Sequence, residues 1–408
     1  MSDAVAGPLV REGGSDTVPA SLARSGFADA LRGFALVGIC VVNLPFMASP
    51  DHELTGAPAG LDAAAAFATS LLFEGKFFPL FSFLFGFGFA TQLDRTREGG
   101  ATGAAYARRL IGLGVLGALH AVLLFPGDIL LSYALLGAPL WRVRHRPDRS
   151  LLRLAGVWVA LPALCLALVG LAVVVAEPGI MAGARLAGAA DAEAATRAYL
   201  GPFEGALERR LYHDLPGAAA AVVLFQWPLS FAAFCVGLVA GRRGVLQNPR
   251  RLQAALRPHL RLLCMGALAG NVAWAFSPWL PPAASVFAVF LLLAVGGPCL
   301  AALYALLIAV VWESGRGRRA LGWLEPAGRM SLTNYLGQSL VANALFMGWG
   351  LGLYNGVGRP ALLVVAPLIA GGLCALSHLW LRRFRIGPAE WLLRSWTTLH
   401  RQPLRRAG

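Results

Sequence analysis

Between Leu262 and Trp312 the chain runs without a single Asp, Glu, Lys or Arg. About 20 consecutive apolar residues are enough for a helix to cross the hydrocarbon core of a bilayer, and in that core only a helix or a closed barrel can pair every backbone polar group. Similar charge-free blocks run from Gly33 to Pro50, Leu154 to Ala176 and Met330 to Gly358. Composition points the same way, with 57% hydrophobic and 14% charged residues where soluble globular chains carry about 45–50% and about 25%. An ordinary cytosolic enzyme is excluded. The expected fold class is all-α, a polytopic integral membrane protein.

Ten transmembrane helices account for the blocks, at 27–48, 76–93, 106–125, 128–143, 154–176, 217–240, 260–280, 283–312, 329–351 and 361–381. An even number puts both termini on one side. The formal charge of +14 comes from arginines that flank these blocks, so anionic membrane lipid is the expected partner and nucleic acid is not. With N-in and C-in topology, only Lys76, Arg185, Arg197, Arg209, Arg210 and Arg359 fall outside, which satisfies the positive-inside rule. The localisation implied is the inner (plasma) membrane. Residues 1–25 read as a disordered cytoplasmic tail and 26–381 as one transmembrane domain. Within it, Leu61 to Phe73 is expected as an external interfacial helix, and 177–216 as an external loop able to cover the mouth of a site. The stretch 382–408, with Trp391 and Trp396 among arginines, reads as a basic amphipathic tail on the inner leaflet. The six cysteines lie in apolar blocks without metal-ligand spacing, so no metal site, disulfide framework or bound cofactor is implied.

Ionisable groups inside hydrocarbon cost several kcal/mol unless paired or hydrated, so each is a candidate for function. Asp29 and Arg32, three apart, share a face of the first helix near its cytoplasmic end. They are either a local ion pair or a bidentate donor for an anionic group such as a phosphate. Asn43 lies about 16 Å further along. His120 is deep in the third span, about 16 Å past Arg109. Pro126-Gly127 follows and predicts a tight turn into an antiparallel fourth helix that Asp128 opens. That hairpin can set a carboxylate beside the imidazole, fixing its tautomer for general-base work. Asn334, Gln338 and Asn343 roughly share a face of the ninth span, as interhelical hydrogen bonders or as a polar binding wall. No Gly-x-Ser-x-Gly, Walker A or His-Glu-x-x-His motif occurs, so a catalytic triad of the soluble kind is not expected.

Several segments together resemble the bacterial membrane family called domain of unknown function 418. They are Asp29-Ala-Leu-Arg-Gly-Phe-Ala-Leu-Val-Gly-Ile with Val42-Asn43, Gly75-Lys-Phe with Phe81-Ser-Phe-Leu-Phe-Gly-Phe-Gly-Phe89, and His120 with Gly127-Asp-Ile-Leu-Leu131. The others are Gly328-Arg-Met-Ser-Leu-Thr-Asn-Tyr335 with Gln338-Ser339, and Gly387-Pro-Ala-Glu-Trp391. The opening Asp-x-x-Arg-Gly with Val-Asn is also similar to heparan-glucosaminide acetyltransferase relatives and, more loosely, to acyltransferase-three membrane proteins. That resemblance implies an acyl-CoA co-substrate at the cytoplasmic face and a sugar or lipid acceptor. Acyltransferase-three proteins end the first-helix motif with a histidine where this chain has Asn43, so the base is sought at His120. The expected mechanism has donor phosphates near Arg32, His120 oriented by Asp128 as base, and Asn43 as an oxyanion donor. A transporter or lipid exporter is the alternative from a different class, and a membrane scaffold is a third.

Overall fold

The computed structural model describes residues 26–50, 58–99, 103–175 and 178–406. The tail over 1–25, expected to be disordered, lies outside them. Apart from one pairing between Phe384 and Arg405, all regular structure among the described residues is helical. The main helices are α1 (Gly26–Ala48), α2 (Gly60–Leu72), α3 (Phe77–Gly99), α4 (Gly103–Leu123), α5 (Leu130–Val143), α6 (Asp148–Val175) and α7 (Pro178–Leu200). They continue with α8 (Phe203–Arg242), α9 (Leu260–Ala275), α10 (Ala284–Glu313), α11 (Ser331–Phe346), α12 (Arg359–Arg383) and α13 (Pro388–Thr398).

Among the described residues, seven stretches are long and apolar enough to cross a membrane: Gly26–Ala48, Gly60–Leu93, Gly103–Leu123, Asp148–Ala172, Phe203–Arg242, Ala284–Glu313 and Arg359–Arg383. Each of the ten expected segments is helical, but α5 has 14 residues and α9 and α11 have 16 each. At about 1.5 Å per residue these three fall short of a hydrocarbon core about 30 Å thick. Their apolar blocks continue past the helix ends, which is why the sequence alone reads them as longer. Beyond α11 the chain folds back, and the amides of Leu351 and Tyr354 bond the carbonyls of Ala344 and Phe346 that the helix end leaves open.

Val157, Leu161, Leu164, Leu168 and Leu171 form an exposed stripe on α6, and Val364, Leu368, Leu376 and Leu379 on α12. Apolar stripes of that length on an outer surface suit lipid, whose tails are as apolar as leucine. Inside, α1 packs against α3, α11 and α12. Helices α3 and α8 meet backbone to backbone: a Cβ on Gly86 would stand 2.8 Å from Phe234 Cα, and one on Gly237 would stand 2.9 Å from the Phe87 amide nitrogen. Only glycine allows that approach.

The stretch expected as an interfacial helix forms α2, joined to α3 by a turn in which Gly75 has φ 78°, a conformation that favours glycine. Lys76, buried in that turn, donates to the Ser70 carbonyl at 2.5 Å. The connection over 177–216, expected as a loop, is helical wherever it is described apart from the Gly201–Pro202 break between α7 and α8. Helix α8 carries two π-helical segments, Arg210–Asp214 and Val222–Gln226. Helix α13 packs on α4 and α11 and is tied down by its tryptophans, Trp396 donating to the Arg108 carbonyl and Trp391 to that of Gln402.

Candidate functional site

His120 lies in the last turn of α4, and the chain from Leu124 to Ile129 turns back into α5 beside it. Gly117 makes room for that turn, because a Cβ there would stand 2.7 Å from Asp128 Oδ1. Asp128 consequently reaches His120, its Oδ2 accepting from Nδ1 at 2.7 Å, while its Oδ1 accepts the Leu131 amide at 2.7 Å. The second bond satisfies an orphan donor in the first turn of α5. The other imidazole nitrogen, Nε2, lies 2.8 Å from the Ser339 hydroxyl on α11. With Nδ1 protonated toward the carboxylate, Nε2 accepts from Ser339. Fully removed from solvent, with side-chain exposures of 0% for His120 and 2% for Asp128, the three groups form a Ser–His–Asp relay drawn from α4, α11 and the turn before α5, where Asp128 stands two residues ahead of the helix it was expected to open.

No short motif announces this hydrogen-bonded series. The missed residue is Ser339. Its signal was in the sequence: Tyr335, Ser339 and Asn343 are spaced by four, so they stack on one helix face. Asn334 and Gln338 face elsewhere, since a spacing of five carries Asn343 well off their line. Asn334 donates to Ser377 and to the Met330 carbonyl, and Gln338 donates to the Leu36 carbonyl of α1. Both therefore act as packing bonds between helices. Tyr335 closes the α4 side of the relay, its ring 4.9 Å from that of His120 and its hydroxyl accepting the Ile129 amide at 3.3 Å.

One turn beyond Ser339, Asn343 donates to the Leu124 carbonyl and accepts from Arg210 at 2.7 Å. Arg210, 1% exposed and carried by the first π-helical segment of α8, also donates to the Leu123 carbonyl at 2.6 Å. A cation and an amide thus cover the negative end of α4. Arg210 Nε is buried without a hydrogen-bond partner. Tyr199 lies against the guanidinium face, Arg209 pairs with Asp214 and Asp191, and Tyr199 donates to Asp214. Arg210, which the sequence reading leaves as a loop charge, is thereby the roof of the relay. The hydrogen bond from Arg209 is the main reason that the Asp191 carboxyl sits below its ordinary range.

The remaining candidates are at other places. Asp29 accepts from Arg32 at 2.7 Å, and Arg32 also donates to the Gly328 carbonyl. The charges of Arg394 and Arg32 both reach Arg109, whose Nη1 donates to Gln92. Arg32 of α1 and Arg394 of α13 thus lie within electrostatic range of Arg109, at the end of α4 remote from His120. Asn43 is half-buried on α1 and its side chain makes no hydrogen bond with the described residues; nor does it bond His120, whose two nitrogens are taken by Asp128 and Ser339. Glu390 of α13 accepts from the Leu332 and Thr333 amides, capping α11, the helix that carries Ser339. Among the described residues no group of three or more His, Cys, Asp or Glu is placed to hold a metal ion.

Residues 240–400 match the family described as protein of unknown function (DUF418). The chain is 32% identical over 400 residues to the uncharacterized protein YxaH of Bacillus subtilis (strain 168), covering 93% of this chain and 96% of that protein. It belongs to the DUF418 family. A second relative of this DUF418 protein, the uncharacterized protein YeiB of Escherichia coli (strain K12), is 31% identical over 410 residues with the same coverage of each chain. An uncharacterized 39.9 kDa protein of Bacillus acidopullulyticus is 27% identical over 393 residues. No solved structure matches. The family match contains Ser339, Asn343 and Glu390; His120 and Asp128 lie before it.

Proposed function

We propose that this DUF418 protein is an acyltransferase of the inner (plasma) membrane, N-in and C-in, moving an acyl group from a cytoplasmic acyl-CoA-type donor to a hydroxyl or amine acceptor at the membrane or on its outer side. The observation that carries the reading is the His120 imidazole held between Asp128 and Ser339. Both ring nitrogens are engaged, and the buried carboxylate on Nδ1 orients the ring and fixes the tautomer in which Nε2 is the acceptor. The electrostatic proximity of Arg32 and Arg394 to Arg109 supports the donor end. Guanidiniums bind phosphates bidentately, and these lie about 16 Å of helix from His120 along α4. Asp29 orients Arg32 there, and Asn334 and Gln338 stiffen α11 against α12 and α1. A dry site protects a thioester from hydrolysis.

Access requires the roof to lift. The lower part of α8 is locked to α3 by the glycine contacts, whereas its upper part holds both π-helical segments and the Arg210 bonds. Segments of that kind occur at functional sites in helices. The test is incubation of the detergent-purified protein with labelled acetyl-CoA and longer acyl-CoAs, with lipid and sugar acceptors. Wild type is expected to transfer label and His120→Ala to lose transfer while inserting normally; transfer retained by His120→Ala rejects the assignment. A buried His–Asp pair also suits a proton-coupled carrier, which would instead show substrate flux driven by a pH gradient and no covalent product.

A further inference from the structure

We infer that Ser339 is a nucleophile, and that the acyl group crosses the site as an ester on its Oγ rather than passing directly from donor to acceptor. The inference rests on the acyl-transfer reading for the identity of the group carried, but the case for the nucleophile is geometric. Nδ1 of His120 is committed to Asp128 at 2.7 Å, so Nε2 is the only nitrogen that can take up a proton, and Nε2 is already occupied by the Ser339 hydroxyl at 2.8 Å. A base can act only on a proton within hydrogen-bond reach. Here that proton is the one on Ser339.

The serine hydroxyl is also not tied back to its own helix. A serine inside an apolar helix ordinarily bonds back to a carbonyl of the preceding turn, as Ser377 does to Leu373 and Thr69 to Ala65 in this chain. The Ser339 hydroxyl instead points across the helix interface at the imidazole. Its own carbonyl is bonded by the Asn343 amide, and its helix is pinned at the start by Glu390. Both arrangements hold the hydroxyl in place without competing for its proton.

The steps balance without an added oxidant or reductant. As Ser339 Oγ attacks the carbonyl carbon of an acyl thioester, its proton passes to His120 Nε2. The tetrahedral adduct collapses by breaking the carbon–sulfur bond, and the departing thiolate takes the proton from Nε2 to leave as a thiol. An acceptor hydroxyl then attacks the Ser339 ester, giving its proton to Nε2. Cleavage of the bond between carbon and Oγ returns that proton to the serine. Asp128 holds the imidazolium formed in each half through Nδ1. The developing oxyanion falls to Arg210, which Asn343 holds one turn along α11 and whose Nε is an uncommitted buried donor.

The experiment uses the full-length protein in detergent and two probes: a fluorophosphonate, which reports an activated serine whatever the substrate, and an acyl-CoA given without acceptor. Peptide mapping by mass spectrometry is expected to find both adducts on Ser339 in wild type and neither in Ser339→Ala. His120→Ala is expected to slow labelling about 10²- to 10⁴-fold. Ser339→Cys is expected to keep a thioester adduct and shows that the position, not the fold, is being read. Transfer to acceptor by a protein that never carries an adduct on Ser339, or wild-type transfer by Ser339→Ala, overturns the nucleophile and leaves acyl transfer standing. A fluorophosphonate adduct on Ser339 in a protein that consumes no acyl-CoA does the reverse. Absence of both adducts from folded wild type overturns the inference.

Discussion

Each carboxylate oxygen of Asp128 serves a different structure, one holding the imidazole and the other the first turn of α5. The site and the hairpin are therefore coupled through a single side chain. Asp128→Asn keeps the shape, yet an amide cannot accept at one atom from His120 Nδ1 and at the other from the Leu131 amide. Either the tautomer inverts or the cap is lost. The expected result is a loss of acyl transfer of about 10⁴-fold, the size seen where a triad histidine is held in the wrong tautomer, with a folded protein that still elutes as wild type. Single-turnover rates in detergent measure this, and a change of less than tenfold would show that Nδ1 does not need its carboxylate.

At the scale of elements, the relay is assembled by the α4–α5 hairpin, the N-terminally capped α11 and the upper part of α8. None of the three forms it alone. Arg210 of α8 covers the end of α4 beside that hairpin. That cover is tied down by Arg209, which bridges Asp214 of α8 and Asp191 of α7. The Asp191 carboxyl is held below its ordinary range by Arg209. A depressed folded value means the bridge contributes fully above the unfolded value of about 3.9 and is lost as the pH falls through the folded value. Asp191 is exposed in this pair, so its contribution is under about 1 kcal/mol. Lowering the pH from 7 to well below the ordinary carboxylate range is expected to raise hydrogen exchange over the second half of α7, corrected for intrinsic rates, and Asp191→Asn to show that raised exchange already at pH 7. Equal protection at both pH values would contradict the bridge.

For the whole molecule, the proposed N-in orientation rests on arginine placement. In a cysteine-free background, Glu193→Cys on α7 is expected to react with a membrane-impermeant maleimide added to intact cells. Arg149→Cys, at the start of α6, is expected to react only after the membrane is opened. The opposite pattern would reverse the orientation and put these arginines of α1, α4 and α13 on the outer side, away from any cytoplasmic thioester. This test is independent of activity, since it reads only which face each residue occupies.

Much of this was legible in the residue order. Charge-free blocks dictate helices in lipid, because hydrocarbon offers no partner to an open backbone. Pro126-Gly127 dictates a hairpin, and eight residues of sequence separation kept His120 and Asp128 within reach of each other. Local order could not decide which of the polar groups on distant helices would meet. Ser339 is 219 residues from His120, and Arg210 is 133 from Asn343. Those meetings depend on how α11 rotates against α1 and α12, which sends Asn334 and Gln338 to packing bonds and turns Ser339 and Asn343 toward α4. That rotation is settled by close packing and by the need of every buried polar group for a partner, and both are properties of the assembled bundle.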